Sequence, residues 1–253
     1  MNISIIKSFF IKLYISKFTY IFIFLCFITG LIKELLSLSL IIIFHEFGHY
    51  LVSYLYKWNI KKIIIYPFGG LIKYEEVIDK PFIEEFLITI SGPINQLLFF
   101  FLIYILYKNS LLTDHFYSII YSYNKYILIF NLIPIIPLDG SKILNIFINK
   151  IFNFRLSYIL LIYISIFILF FLFKYTNNIF IMSYLLYEII NSIRYKNIVF
   201  NRFILEKYLY INNFKKIIKI DNINKMKRNK KYLLKYKNYY LNEKDYIKKI
   251  KGV

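Results

Sequence analysis

Leu35-Leu36-Ser37-Leu38-Ser39-Leu40-Ile41-Ile42-Ile43-Phe44-His45-Glu46-Phe47-Gly48-His49-Tyr50-Leu51-Val52-Ser53-Tyr54-Leu55-Tyr56 is the stretch on which the fold turns. It is long enough to cross a bilayer, which takes about 20 apolar residues. Yet it holds His45, Glu46 and His49 in its middle. An ionisable group at membrane depth costs roughly 2.5–3.5 kcal/mol even on a lenient insertion scale. Such a cluster needs a compensating ligand, and a metal ion is the obvious one. Histidines at i and i+4 sit about 40° apart on one helical face. Both imidazoles can then bind one Zn²⁺, with Glu46 beside them to deprotonate a water. Two of the chain's 3 histidines are used here.

The wider composition agrees with a membrane setting. Of 253 residues, 59% are hydrophobic and 21% aromatic, more than a soluble domain carries. Ile, Lys, Asn, Tyr and Phe are inflated together, the mark of an AT-rich genome, and that bias accounts for part of the +19 net charge. The single cysteine, Cys26, excludes an intrachain disulfide. The first apolar stretch lacks a small-residue cleavage site and reads as a retained span.

Apolar runs at 14–32, 35–56, 82–107, 116–137, 156–173 and 177–193 predict an all-α polytopic fold: a six-helix transmembrane bundle with a small cytosolic tail. Lysines and arginines concentrate in the odd-numbered flanks, leaving Lys33, Lys108 and Lys174 for the opposite side. The positive-inside rule then puts both termini in the cytoplasm. The expected domains are 1–195, within the membrane, and 196–253, a basic tail with 18 Lys/Arg against 4 Asp/Glu from residue 194 onward. In that tail, 197–211 reads as helix, Lys216–Ile220 and Tyr232–Leu241 as short strands, and Asn-Glu-Lys-Asp as the start of a last helix. No nucleic-acid motif or Gly-rich phosphate loop is present, so no nucleic-acid partner is expected.

The fourth run ends at Pro134-Ile135-Ile136-Pro137-Leu138-Asp139-Gly140. Two prolines so close cannot continue a regular helix, and irregular backbone at membrane depth must line an enclosed or watery cavity. Catalytic zinc usually takes three protein ligands and keeps an open position. Asp139 is the best third candidate after His45 and His49; a plain helix-end carboxylate before Gly140 is the alternative.

His45-Glu46-Phe47-Gly48-His49, followed by Asn131-Leu-Ile-Pro-Ile-Ile-Pro-Leu-Asp139-Gly140, resembles the site-2 protease family of intramembrane zinc metalloproteases. The compact layout and cytosolic tail are similar to its stage IV sporulation protein FB branch. The resemblance covers residues 1 to about 195. It implies that His45, His49 and Asp139 bind one Zn²⁺, that Glu46 is the general base, and that Asn131 orients substrate or the oxyanion. Tyr66-Pro67-Phe68-Gly69-Gly70-Leu71-Ile72 resembles the family's segment that pairs with extended substrate, through Phe68, Gly69 and Gly70; an ordinary cytosolic turn is the other reading. Ser91-Gly92-Pro93-Ile94-Asn95 matches a family signature, although Ser91 and Gly92 read more simply as helix-packing residues. The implied partners are the lipid bilayer, a membrane-associated substrate (a sigma-factor precursor or an anti-sigma factor) and a membrane inhibitor or regulator. The tail departs from the branch, whose members usually end in a nucleotide-sensing module. A zinc-binding transporter is the competing class, but it would be expected to show internal repeats.

Overall fold

A computed structural model describes residues 3–67, 69–75, 78–175, 179–209, 217–237 and 239–251. Two compact units emerge: Met1–Glu76 with Phe86–Leu132, and Val77–Glu85 with Ile133–Val253.

The first unit runs α1 (Ile3–Ile11), β1 (Leu13–Ile15), α2 (Lys17–Ile28), α3 (Ile32–Leu55), β2 (Ile60–Tyr66), β3 (Gly69–Tyr74), most of α4 (Phe82–Lys108), and α5 (Asp114–Leu132). Ser16 caps α2, its hydroxyl accepting from Thr19 N at 3.2 Å, a bond that satisfies an otherwise orphaned donor. At the far end of α3, Lys57 takes φ +56° and Trp58 N donates to Ser53 O at 2.9 Å. That left-handed turn stops the helix and redirects the chain into β2.

The all-α expectation needs correction, because residues 13–15 and 60–74 build a three-stranded sheet in the order β1-β2-β3. β1 runs parallel to β2 with Leu13 opposite Ile63, and β2 forms an antiparallel hairpin with β3 in which Tyr66 opposes Gly69. The β-branched run Ile63-Ile64-Ile65 suits the pleated surface. Ile60 and Ile63 bury their side chains with Phe9 of α1 and Tyr50 of α3. Deeper in the unit, Ile41, Phe99, Ile103, Ile120 and Ile127 form the core shared by α3, α4 and α5. Gly48 lets α3 and α4 approach closely: a Cβ there would meet Asn95 Cβ at 2.7 Å and collide with Ser91 O.

The second unit contains α6 (Asp139–Ile151), α7 (Phe154–Tyr175), α8 (Ile179–Leu209), β4 (Ile217–Ile220), β5 (Lys231–Tyr236), β6 (Tyr239–Asn242) and α9 (Glu243–Lys251). α5 ends at Leu132, before Pro134, and the backbone stays irregular until Asp139 opens α6. Within that stretch Leu138 N donates to Ile135 O at 2.8 Å and Ile136 N to Ser165 Oγ at 3.2 Å. α8 is one continuous helix through Arg194, where the sequence suggests a span followed by a separate tail helix. No breaker interrupts 193–197, and Phe200, Phe203 and Ile204 carry an apolar stripe onward at helical spacing. This stripe packs with Phe154, Met226, Tyr232, Leu234 and Ile247 in one core. The tail is thus a small α/β element, with sheet order β4-β5-β6, built onto α7 and α8.

Among the described residues, three helices are long and apolar enough to cross a membrane: Ile32–Leu55, Phe82–Lys108 and Phe154–Lys174. α2 is apolar but shorter.

Candidate metal centre

α3 places His45 and His49 one turn apart, buried at 3% and 5% exposure, and buries Glu46 beside His45. Their Nε2 atoms lie 3.1 Å apart. The outer nitrogens are both engaged by α4. His49 Nδ1 donates to Ile88 O at 2.7 Å. A carbonyl only accepts, so the proton sits on Nδ1 and Nε2 presents a lone pair. His45 Nδ1 meets Gln96 Oε1 at 2.9 Å, while Gln96 donates its amide nitrogen to Asn124 O at 2.9 Å. His45 is therefore the same tautomer. With their outer nitrogens held in this way, the two imidazoles turn their Nε2 atoms towards one another, the arrangement that metal-bound histidines adopt.

Glycine makes room for this pair. A Cβ on Gly92 would meet His45 Nε2 at 2.8 Å and overlap His49 Nε2. Gly92 is thus more than the packing glycine its sequence suggests. Ser91 does pack, its hydroxyl donating to Ile88 O at 2.7 Å with Gly48 O at 3.0 Å. Ile88, Gly92 and Gln96 recur every fourth residue, so one stripe of α4 contributes a carbonyl, a gap and an amide. On the other side of α3, Gly70 of β3 lies directly against the Glu46 carboxylate.

Asp139 is buried at 5% exposure in the first turn of α6, where the helix dipole favours a carboxylate. Lys142 Nζ donates to its Oδ1 at 2.8 Å. The helix-end reading of Asp139 is therefore correct as geometry. His45 and His49 of the first unit and Asp139 of the second are residue types that could hold one metal ion. Two imidazoles and one carboxylate are a donor set suited to zinc.

Asn131 is buried in the last turn of α5. Gly69 and Gly70 begin β3. Phe68 lies outside the described residues. Gln96 and Ile88 O were not legible as site groups. The available signals were Gln96 falling four residues after Gly92, and Asn124 interrupting an apolar run.

His45, His49 and Glu46 are thus buried together on a helix long and apolar enough to cross a membrane. Residues 33–112 match the family model of Peptidase family M50. The chain is 36% identical over 145 residues to the stage IV sporulation protein FB of Bacillus subtilis, covering 57% of this chain and 50% of that one. It is 32% identical over 121 residues to a putative zinc metalloprotease of Synechocystis, covering 47% and 31% respectively. The chain thus spans half or less of the length of these curated relatives. In three dimensions it resembles the site-2 protease of Methanocaldococcus jannaschii with a TM-score of 0.55, covering 72% of this chain and 89% of that one at 21% identity. In sequence the chain resembles Peptidase family M50 and the stage IV sporulation protein FB, and it shares the fold of a solved site-2 protease.

Proposed function

We propose that this chain is an intramembrane zinc endopeptidase that cleaves a membrane-associated protein. The observation that carries this reading is the pair of imidazole Nε2 atoms 3.1 Å apart on one face of α3, with Glu46 buried next to His45 in the same helix. His45, His49 and Asp139 would hold the metal. When bound, zinc supplies Lewis-acid polarisation of the scissile carbonyl and acidifies a water. Glu46 accepts that water's proton as its oxygen bonds the carbonyl carbon. It returns the proton to the amine as the C–N bond breaks. Asn131 orients substrate or stabilises the oxyanion. β3 is an edge strand, so an unwound substrate segment can add to it by main-chain hydrogen bonds. Gly69 and Gly70 allow that close approach, and Phe68 is proposed to contact substrate with them.

In this reading α2, α3, α4, α5, α7 and α8 form six spans with both termini cytoplasmic, and residues 196–253 form a shortened regulatory tail. Cleavage falls near the cytosolic face. The likeness to the sporulation relative favours a sigma-factor precursor as substrate, with an anti-sigma factor as the alternative and a membrane inhibitor as the regulator. Co-expression with candidate precursors tests this: wild type should yield a cleaved product and Glu46→Gln none. Equal cleavage by both would remove Glu46 from the chemistry.

A further inference from the structure

We propose that Gln96 is a positioning residue that fixes the tautomer and direction of His45, and that Asn124 anchors it from α5. The inference rests on the metal-site reading above. Gln96 is 0% exposed and Asn124 4% exposed, and both sit in largely apolar helices where an unmatched amide is costly. Leucine has a similar volume and would pack there with no polar group to satisfy. Packing alone therefore does not call for glutamine.

The hydrogen bonds supply a reason. An amide has two donors on nitrogen and one acceptor oxygen. Gln96 Nε2 donates to Asn124 O at 2.9 Å and lies 3.1 Å from Asn124 Oδ1. With its nitrogen held there, Gln96 turns only its oxygen towards His45 Nδ1, at 2.9 Å. An acceptor at that position keeps the proton on Nδ1 and leaves Nε2 bare. Were the amide reversed, its N–H would compete for Nδ1 and drive the proton onto Nε2, where a metal must bind. Asn124 prevents the reversal by offering two oxygens to the amide nitrogen. His49 obtains the same result from the backbone carbonyl of Ile88, which cannot reverse. At His45 the acceptor is a side chain, which must itself be locked.

The test is metal binding by the purified full-length chain, read by Co²⁺ absorption and by Zn²⁺ competition with a chelator. Gln96→Leu should weaken affinity by about 10–100-fold, the usual effect of removing such a partner, and alter the Co²⁺ spectrum. Gln96→Glu keeps an acceptor towards His45 but turns its other oxygen onto Asn124 O and Oδ1, so it should recover only part of the affinity and still bind more tightly than Gln96→Leu. Asn124→Leu should fall between, because its backbone oxygen remains. A space-filling role predicts the reverse order, with leucine harmless and a buried glutamate damaging. Unchanged affinity and spectrum in Gln96→Leu would overturn the proposal while leaving the metal site standing. Equal weakening by leucine and glutamate would do the same. A wild-type chain that takes up no Co²⁺ would overturn the metal-site reading and this proposal with it.

Discussion

Gly70 on β3 and Glu46 on α3 touch so closely that a Cβ at position 70 would lie 2.7 Å from Glu46 Oε1. The hairpin therefore sets the carboxylate's place as much as α3 does. Gly70→Ala must displace either the strand or the acid. A shift of about 1 Å at a reacting group can lower the rate by about 100-fold. Peptide cleavage by this variant should fall by that order while its zinc content stays at the wild-type level. Wild-type cleavage would show that the contact gives way without consequence.

Glu46→Gln removes the proposed base but nearly preserves shape. Proteolysis should be abolished, with membrane insertion and zinc content unchanged. Metal analysis of the purified variant checks the assignment, since loss of zinc would make Glu46 a ligand instead.

Asp139→Asn should lower both metal affinity and activity. Lys142 Nζ lies 2.8 Å from the carboxylate and orients it. An amide would be a much poorer ligand. Cysteines placed at positions 46 and 139, in a chain lacking Cys26, should crosslink if the two segments meet. Full activity of Asp139→Asn at normal zinc occupancy would exclude it from the site.

Asp79 and Lys207 form an ion pair at 2.6 Å with 3% and 2% side-chain exposure. Asn229 N also donates to Asp79, at 2.8 Å, and Arg228 pairs with Glu85 at 2.7 Å. Removing one partner of a buried pair costs about 3–5 kcal/mol. Lys207→Met should therefore lower the thermal midpoint of the second unit markedly. Deleting residues 212–253 should be harsher still, because Met226, Tyr232, Leu234 and Ile247 leave the core around Phe154 and Phe203.

Burial pushes the Glu243 carboxyl up to about 7, against the opposing pull of the Lys207 charge and the Tyr232 N–H. A raised carboxyl in the folded state contributes stability that is full below its ordinary value of 4.5 and is lost as pH rises through 7. Thermal melts should show this unit losing stability across that window. Glu243→Gln should flatten the dependence. A slope that persists in the variant would assign it to another group.

The metal helix was legible because its spacing is local: His45, Glu46 and His49 need only one turn of helix to define their chemistry. Asp139 was legible because two prolines isolate it. The tail strands and last helix were legible from alternation and turn residues. The first sheet was not. Leu13-Tyr14-Ile15 reads as the entry to an apolar span, and only pairing with Ile63-Ile64-Ile65 turns it into a strand. Short apolar runs do not distinguish strand from buried helix by periodicity, and an isoleucine-rich composition deepens that ambiguity. The Gln96–Asn124 link was hidden for a similar reason, since its meaning depends on two helices meeting.

The every-fourth-residue recurrence of Ile88, Gly92 and Gln96 has an evolutionary corollary. Each residue turns a helix by about 100°. Inserting or deleting a single residue between 88 and 96 would swing the carbonyl, the gap and the amide out of phase with one another. Length changes within these roughly two turns of α4 are therefore closed to the lineage. The segments before and after α4 remain free to grow or shrink, and variation in length among descendants of this chain should accumulate there.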